Sequence, residues 1–371
     1  RRPILNIFQL DPTGSAKLAV MPERSDWLTI NGVPLERRLQ TAAVAAFVTA
    51  LPLMPMSVIL AIVLLSRWPY QPLMILYLTY CCFFDASPQT GRRKSEWFRN
   101  LGFWKYFKDF FPISVKKTSE LDPTKNYIFG YHPHGIIGFG AISCFATNAH
   151  DPKTLLPGLD LYLLTLPIQF RLPFIREVWL LMGICDSSKE TFKRILSKGP
   201  GSSLAVVVGG AAEALKSSPG KIDLTLNARK GFVRQALLHS ASLVPVIAFG
   251  ETDVYGVLQN QFFKKVQVRL QKWFGFAMPL FHGRGIFNYN FGLIPHRRPI
   301  TVVLGRAIEV PTNDSEGNPI AAKGERWLVE SDEGRAIVAK IHAQYVEELR
   351  QLYDENKEKF YSHCNATLSV T

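Results

Sequence analysis

The chain has 371 residues, of which 47% are hydrophobic, and a formal net charge of +13 at pH 7. The length allows one large or two modest domains, and a mean hydropathy of +0.06 is high for a purely soluble protein. The excess of Lys and Arg suits nucleic acid or an anionic membrane, and because no nucleic-acid-binding motif accompanies it, the membrane is favoured. The five cysteines form no paired framework, which argues against a disulfide-stapled scaffold and favours reduced thiols.

Two uncharged apolar runs, over residues 39–66 and 68–84, dominate the N-terminal quarter. Spanning the hydrocarbon core takes about 20 apolar residues, so the first run is long enough and the second is borderline. Basic residues lie outside both runs, so the positive-inside rule predicts a hairpin with both flanks cytosolic. Pro52 and Pro55 leave a re-entrant hairpin open, and the late start of the first run argues against a cleavable signal peptide.

Two segments, 94–111 and 262–281, mix aromatic residues with Lys and Arg. This mixture is typical of amphipathic helices that lie in a membrane interface. The alternative for both segments is a solvated basic face over an ordinary aromatic core. We expect the first segment to be interfacial and leave both readings open for the second.

Beyond residue 120 short apolar runs alternate with helical patterns. Strands are predicted over 127–130, 161–166, 204–208, 243–249 and 300–304, and helices over 189–197 and 230–239. Nearly continuous apolar strands indicate a mostly parallel sheet buried on both faces, and hence an α/β sandwich. A surface loop is predicted over 312–324, followed by an amphipathic helix over 332–360.

The stretch 127–140, YIFGYHPHGIIGFG, places two histidines in a glycine-rich turn after a predicted strand. Pro133 holds the backbone between His132 and His134, and Gly135 keeps the turn open. A neutral imidazole here can act as a general base, although a buried histidine can also be a hydrogen-bonding core residue. A metal site is ranked below the base, because no partner of matching spacing follows.

Three further clusters lie at predicted strand ends or in turns. In FRLPFIRE, Arg171 and Arg176 flank Pro173. Arginines in such a place can bind phosphates or cap a helix. VVVGGAAEAL carries a strand into Gly209 and Gly210 and then Glu213, without a dinucleotide fingerprint. ARKGFVRQA concentrates Arg229, Lys230 and Arg234 around Gly231 and Phe232, where solvated surface charge is the alternative.

Together and in this order, the motifs resemble the type 2 acyl-CoA:diacylglycerol acyltransferases and their monoacylglycerol and wax-alcohol acyltransferase relatives. The residues that carry the resemblance are YHPHG at 131–135, the R-x-P-x-x-R-E stretch at 171–177, VGGAAE at 208–213, RKGFVRQAL at 229–237, and FGE at 249–251. Similarity extends from about residue 92 to about residue 305. The resemblance implies a glycerolipid-acyltransferase-like α/β sandwich with a mostly parallel sheet, preceded by an N-terminal membrane helical hairpin.

The resemblance also implies an activity and a location. A fatty acyl group would pass from acyl-CoA to the free hydroxyl of diacylglycerol, forming triacylglycerol at the endoplasmic reticulum and lipid droplets, with no cofactor. The family role falls on the HPHG histidines, and we favour His134 as the base with His132 in support. The superfamily's H-x4-D aspartate is missing, because Ile137 and Phe139 occupy those places. Glu213 is therefore the first candidate to orient the base.

The predicted binding residues surround that pair. Amides near Gly135 are expected to stabilise the oxyanion, and basic residues to hold the phosphates of CoA. The full binding set is Pro133, Gly135, Arg171, Pro173, Arg176, Gly209, Gly210, Arg229, Lys230, Gly231, Phe232 and Arg234, and no metal site is expected.

The predicted organisation has five parts: a flexible cytosolic leader (1–38), a transmembrane or re-entrant hairpin (39–84), an interfacial aromatic and basic segment (85–125), a catalytic α/β domain (126–311), and a surface loop with a C-terminal amphipathic helix (312–371). Two rivals remain open, a covalent mechanism through Cys144 or a serine, and a non-enzymatic lipid-droplet protein. The sequence does not fix the choice among diacylglycerol, monoacylglycerol and fatty alcohol, and it leaves a homo-oligomer open.

Overall fold

The computed structural model describes residues 29–30, 33–257, 281–285, 291–360 and 367–371. The chain divides into two units, residues 1–39 and 40–371. In the first unit, the strands Thr29–Ile30 and Val33–Pro34 form an antiparallel pair. Most of the predicted flexible leader lies outside the described residues.

The second unit is built on a central sheet. Among the described residues seven strands form it: β1 Ser114–Lys117, β2 Tyr127–His132, β3 Asp160–Thr165, β4 Ile184–Asp186, β5 Ser202–Val207, β6 Ser242–Phe249 and β7 Thr301–Leu304. Their order across the sheet is β1-β7-β6-β2-β5-β3-β4. The five strands β6, β2, β5, β3 and β4 are parallel to their neighbours, whereas β7 runs antiparallel to β6 and parallel to β1. The predicted mostly parallel sheet is therefore confirmed.

All five predicted strands are present, and β1 and β4 were not predicted. Strand β1 reads SVKK and alternates exposed with half-buried residues at the edge of the sheet, so it lacks the apolar run of a central strand. Strand β4 has three residues, which is too short for a periodic signal. Two smaller pairs complete the described strands, Lys221–Leu224 with Thr367–Val370 and Gly256–Val257 with Phe281–His282.

Helices and helical turns make up much of the rest of the described chain. They are α1 Leu35–Val48, α2 Ala50–Leu65, α3 Tyr70–Thr79 with a π-helical turn Tyr80–Phe84, α4 Ser87–Thr90, α5 Glu96–Arg99, α6 Gly102–Phe110, α7 Phe139–Ala141 with a π-helical turn Ile142–Ala146, α8 Pro152–Leu155, a 3-10 turn Pro167–Arg171, α9 Ile175–Leu181, α10 Lys189–Leu196, α11 Gly210–Lys216, α12 Gly231–Leu238, α13 Ile320–Glu330 and α14 Asp332–Phe360.

Strand β2 shows how the two cores form. Tyr127, Phe129 and Tyr131 belong to the core that includes the aromatic residues of α6 and α7. Ile128 belongs to the other core, with apolar residues of α10, α12 and α14. Since successive strand residues point to opposite faces, burial of the whole strand requires a helical layer on each side.

The segment 94–111 is not the single interfacial helix that was predicted. It forms α5 and α6, and four of its aromatic side chains are buried in the core: Trp104, Phe107, Phe110 and Phe111. The alternative of an aromatic core beneath basic residues is the correct one, although Trp97 is 74% exposed. The second predicted interfacial segment, 262–281, lies outside the described residues except at its last position.

The predicted surface loop over 312–324 is too long. Helix α13 begins at Ile320, whose side chain is fully buried, and the helix breaks at Gly324, which has a φ of 76°. The prediction, which relied on the loop-like composition of this segment, therefore missed a helix that starts directly after Pro319. Proline is a residue that suits the entry to a helix. The amphipathic helix predicted over 332–360 is confirmed as α14.

Helices α1 to α3, with the π-helical turn that follows α3, correspond to the predicted hairpin over residues 39–84. In the described part of the chain no helix alone is both long and apolar enough to cross a membrane. Helices α1 and α2 meet that requirement of length and composition together, with a bend of 41° between them. Helix α3 with its π-helical turn is a shorter apolar segment.

Candidate active site

Three sequence motifs converge at one edge of the sheet. Strand β2 ends at His132, β5 ends shortly before Gly209, and β6 ends shortly before Glu251. These strands are adjacent and parallel, in the order β6-β2-β5, so their carboxyl ends lie side by side. Clefts in open α/β sheets form at such carboxyl ends. The topology therefore brings together YHPHG, VGGAAE and FGE.

His132 is buried and its protonation pattern follows from its neighbours. Tyr345 Oη lies 3.0 Å from His132 Nε2 and donates to the Gly130 carbonyl over 3.0 Å. Because a carbonyl only accepts and a phenol has one proton, Nε2 must donate to Tyr345 Oη. Nδ1 then carries a bare lone pair, and within the described residues it has no partner. Burial lowers the pKa of His132 to about 3, so the ring is neutral at pH 7.

Tyr345 was missed by the sequence reading. It lies on the amphipathic helix α14, 213 residues after His132. A Cβ added at Gly130 would come within 1.9 Å of Tyr345 Oη, so the glycine makes room for the hydroxyl. No local signal distinguishes this tyrosine from its core neighbours, since its partners come from a distant strand.

His134 is half-buried and has the opposite tautomer. Its Nδ1 lies 3.1 Å from the carbonyl oxygen of Gly135, which can only accept, so Nδ1 carries the proton and Nε2 the lone pair. Burial lowers the pKa of His134 and outweighs the carbonyl, which favours the protonated ring. A backbone carbonyl therefore fixes this imidazole in place of the missing aspartate.

Glu213 contacts the backbone of His134 and not its imidazole. Its carboxylate accepts from the His134 amide at 3.1 Å and from the Thr225 amide at 2.9 Å. The prediction that Glu213 orients the imidazole is therefore wrong; the carboxylate holds the turn. A Cβ at Gly209 would come within 1.7 Å of the Glu213 carboxyl carbon, so Gly209 makes room for this contact, and Gly210 takes a left-handed φ of 54°.

Four consecutive amides follow His134 without an acceptor. Within the described residues, the N–H groups of residues 135–138 donate no hydrogen bond, whereas the amides on both sides do. The preceding amide, of His134, donates to Glu213, and the following one, of Phe139, donates to Glu251 at 2.7 Å. Unpaired amides beside a neutral imidazole can stabilise negative charge on a reacting oxygen.

The cluster in FRLPFIRE does not join the histidines. Arg176 is 1% exposed, and its guanidinium pairs with Asp85 at 2.8 Å and donates to the Phe170 carbonyl at 2.9 Å. These bonds commit Arg176 to the interior, so its predicted contact with a CoA phosphate is contradicted by its burial. Pro173 is buried as well, and Arg171 is exposed at the end of a 3-10 turn.

The RKGFVRQAL cluster lies on the side of the histidines. Helix α12 precedes β6 directly and so begins near the carboxyl edge of the sheet. Phe232 is buried against Tyr345, with ring centroids 4.8 Å apart, and so it supports the site from inside. Arg229, Lys230 and Gly231 are exposed at the start of this helix, and Arg234 is half-buried, 4.0 Å from Glu325.

Cys144 has the environment of a packing residue. It lies in the π-helical turn after α7, is 5% exposed, and burial strongly raises the pKa of its thiol. The thiolate is the nucleophilic form of cysteine, so this side chain is poorly suited to carry an acyl group.

The mixed α/β domain thus holds a neutral imidazole and unpaired amides at the carboxyl edge of its sheet, groups of the kind that can accept a proton and stabilise an oxyanion in enzymes. Residues 62–371 match the family described as diacylglycerol acyltransferase, and the chain belongs to that family. The matched region is longer than the 92–305 that the motifs indicated.

Relatives cover nearly the whole chain. It is 44% identical over 340 residues to 2-acylglycerol O-acyltransferase 1 of Bos taurus, covering 91% of this chain and 96% of the relative. It is 42% identical to diacylglycerol O-acyltransferase 2B of Umbelopsis ramanniana (90% and 91%) and 38% identical to diacylglycerol O-acyltransferase 2 of Homo sapiens (94% and 87%). Among solved structures, the 1-acyl-sn-glycerophosphate acyltransferase PlsC of Thermotoga maritima aligns with 85% of this chain and 98% of its own, at 11% identity and a TM-score of 0.33.

Proposed function

We propose that this protein transfers a fatty acyl group from acyl-CoA to the free hydroxyl of diacylglycerol and so forms triacylglycerol. The observation that carries the chemistry is His134, a neutral imidazole whose Nε2 has no hydrogen-bond partner among the described residues, in the same turn as the four amides without an acceptor there. The family membership and the names of the relatives support the substrates.

The reaction needs no covalent intermediate. His134 Nε2 takes the hydroxyl proton as the lipid oxygen attacks the thioester carbonyl, and the amides of residues 135–138 donate to the resulting oxyanion. The tetrahedral intermediate collapses to the ester and the CoA thiolate, which takes the proton back from the imidazolium. Because free thiols have a pKa of about 8.5, the thiolate is a good leaving group and the proton transfer is the demanding step.

His132 and Tyr345 stabilise the backbone that carries this base. Their mutual hydrogen bond, and that of Tyr345 to Gly130, fix the end of β2 from which the turn with His134 starts. His132 itself, with a pKa of about 3, is too weak a base for this step at neutral pH.

The fold is of the glycerolipid-acyltransferase type, and α1 to α3 form the membrane hairpin, with both flanks cytosolic, at the endoplasmic reticulum and lipid droplets. Large apolar side chains on α2, α3 and the turn between them support this placement because they are exposed in the protein: Met56, Ile59, Ile62, Trp68, Leu73 and Leu76. Contiguous exposed apolar surface indicates a membrane or partner contact.

The direct test uses the full chain in detergent with labelled oleoyl-CoA and diacylglycerol, and with monoacylglycerol and a fatty alcohol as competing acceptors. Labelled triacylglycerol as the main product supports the proposal. A preference for monoacylglycerol or fatty alcohol would assign one of the related activities, and no product with any acceptor would favour a non-enzymatic lipid-droplet protein.

Cys144→Ala is expected to retain at least half of the parental activity, because the thiol is buried and protonated. The rate of triacylglycerol formation is compared at equal amounts of folded protein, and the parent is examined by intact mass for an acyl adduct. Lost activity together with a trapped acyl-enzyme in the parent would establish the covalent route instead.

Arg229 and Lys230 are expected to hold the phosphates of CoA. Replacing both with Gln should raise KM for oleoyl-CoA about 10-fold, as the loss of a charge-assisted hydrogen bond does, with little change in kcat. Oleoyl-pantetheine, which lacks the adenosine phosphates, should show no difference between parent and variant. Lys340→Gln, an exposed lysine on α14, is the matched control; an equal rise in KM there would indicate a general charge effect.

A further inference from the structure

Glu251, the last residue of FGE, is a buried carboxylate to which the sequence reading gave no role. It is fully buried just beyond the end of β6. Its Oε1 accepts from the Phe139 amide at 2.7 Å, and its Oε2 accepts from the Gly140 amide at 2.9 Å and from Tyr131 Oη at 2.7 Å. Three donors from two elements thus converge on one side chain.

Two glycines of HPHGIIGFG leave the space that the Glu251 side chain occupies. A Cβ at Gly135 would come within 2.9 Å of Glu251 Cγ, and a Cβ at Gly140 within 2.8 Å of Glu251 Oε2. Gly135 also has a left-handed φ of 61°. The spacing of these glycines, which a tight turn alone does not explain, follows from the carboxylate they enclose.

Glu251 and Glu213 together bracket the loop of residues 135–138. Glu213 binds the amide that precedes the loop, and Glu251 binds the two amides that follow it. The bracketed amides are the ones without an acceptor in the described part of the chain. Each end of the loop is thus fixed by a buried carboxylate, while its own donors stay unused.

We propose that Glu251 is a positioning residue whose ionised carboxylate holds the loop of residues 135–138 so that its amides meet the oxyanion of the reacting thioester. This inference rests on the proposed acyl transfer. Glu251 acts through the loop and not on substrate. Its effect belongs to the transition state, where the oxygen gains charge, and hence to kcat.

The protonation state of Glu251 matters because all three of its partners donate. A protonated carboxyl would place its own O–H against one of those donors. Burial raises the pKa of Glu251 to about 7, against the hydrogen bonds of Tyr131 and the two amides, which lower it. The titratable groups facing it are Tyr131 and Cys144, and burial keeps both neutral by raising their pKa values. Activity should therefore fall as the pH drops through about 7, because Glu251 loses its charge.

The experiment compares the parent with E251Q and Y131F as full chains in detergent. E251Q should lower kcat about 100-fold, as a small misplacement of catalytic groups does. E251Q should also lose the fall in activity near pH 7, and should keep only the fall at lower pH that protonation of His134 causes, because burial lowers the pKa of that ring. Y131F removes a donor that favours the ionised carboxylate, so its acid limb should move above that of the parent.

Binding separates positioning from general damage. A difluoroketone analogue of oleoyl-CoA forms a hydrate that mimics the tetrahedral intermediate. Calorimetry should show that E251Q binds this analogue about 10-fold or more weakly than the parent does. E251Q should leave unchanged the affinity for an S-alkyl-CoA thioether, which has no carbonyl. Equal weakening of both analogues, or an unmoved acid limb in E251Q and Y131F, would overturn the role of Glu251. Failure of the proposed function itself would appear separately, as absence of acyl transfer by the parent.

Discussion

Replacing His134 with alanine is expected to lower kcat for triacylglycerol formation by roughly 100- to 10,000-fold, the usual contribution of a general base. The reason is local: in the part of the chain that the structure describes, its Nε2 has no hydrogen-bond partner, and the Gly135 carbonyl fixes the ring with Nδ1 protonated. KM for oleoyl-CoA should change little, because we expect Arg229 and Lys230, and not His134, to hold the phosphates. The measurement is a radiolabel assay in microsomes, normalised to the amount of protein.

A second histidine serves as the control for this prediction. His239 is half-buried just after α12, and so lies toward the edge of the sheet opposite the site. His239→Ala should retain the parental rate. Near-normal activity of His134→Ala at normal protein level would remove His134 as the base, and an equal loss in His239→Ala would show that the loss reflects folding.

The sheet was predictable because its central strands are nearly continuous apolar runs, whose signal survives without knowledge of their neighbours. The edge strand β1, with its sequence SVKK, carries no such signal, since pairing with β7 alone makes it a strand. The prediction that the aromatic residues of α6 lie in a membrane interface was wrong for a related reason. Composition shows that aromatic and basic residues alternate, but it does not show whether the aromatic side faces lipid or a protein core.

The histidine pair was predictable from its spacing, but its supports were not. The aspartate expected to orient the base is replaced by a backbone carbonyl, and any residue supplies a carbonyl, so no side chain marks it. Glu213 was predicted to contact the imidazole of His134, but it accepts a hydrogen bond from the His134 amide. The sequence does not distinguish a carboxylate that binds an amide from one that binds an imidazole. Tyr345 and Glu251 reach the site through the topology, from α14 and from beyond β6.

The second large effect concerns the buried pair of Arg176 and Asp85, which joins α9 to the end of the apolar hairpin. Asp85 has a fully buried side chain, and Ser87 donates to it through its amide at 3.0 Å. Burial opposes its ionisation, but the hydrogen bonds from Ser87 and Arg176 outweigh it and hold the pKa of Asp85 at about 2. This depressed pKa stabilises the folded state at neutral pH, and that stabilisation is lost as the pH falls from the ordinary carboxyl value toward 2.

Replacing Arg176 with alanine should lower the free energy of unfolding by about 3 kcal/mol, the lower end for a broken buried pair. Asp85 loses its one fully buried arginine and keeps the partly exposed Arg92 at 3.2 Å and Arg93 at 3.5 Å. Asp85→Ala should cost a similar amount, and the double variant should cost less than the two together, since neither charge is then stranded. Thermal unfolding in detergent measures all three. Arg171→Ala, an exposed arginine five residues earlier, should change stability by less than about 0.5 kcal/mol. If Arg176→Ala instead kept full stability and raised KM for oleoyl-CoA, the arginine would be a phosphate ligand after all.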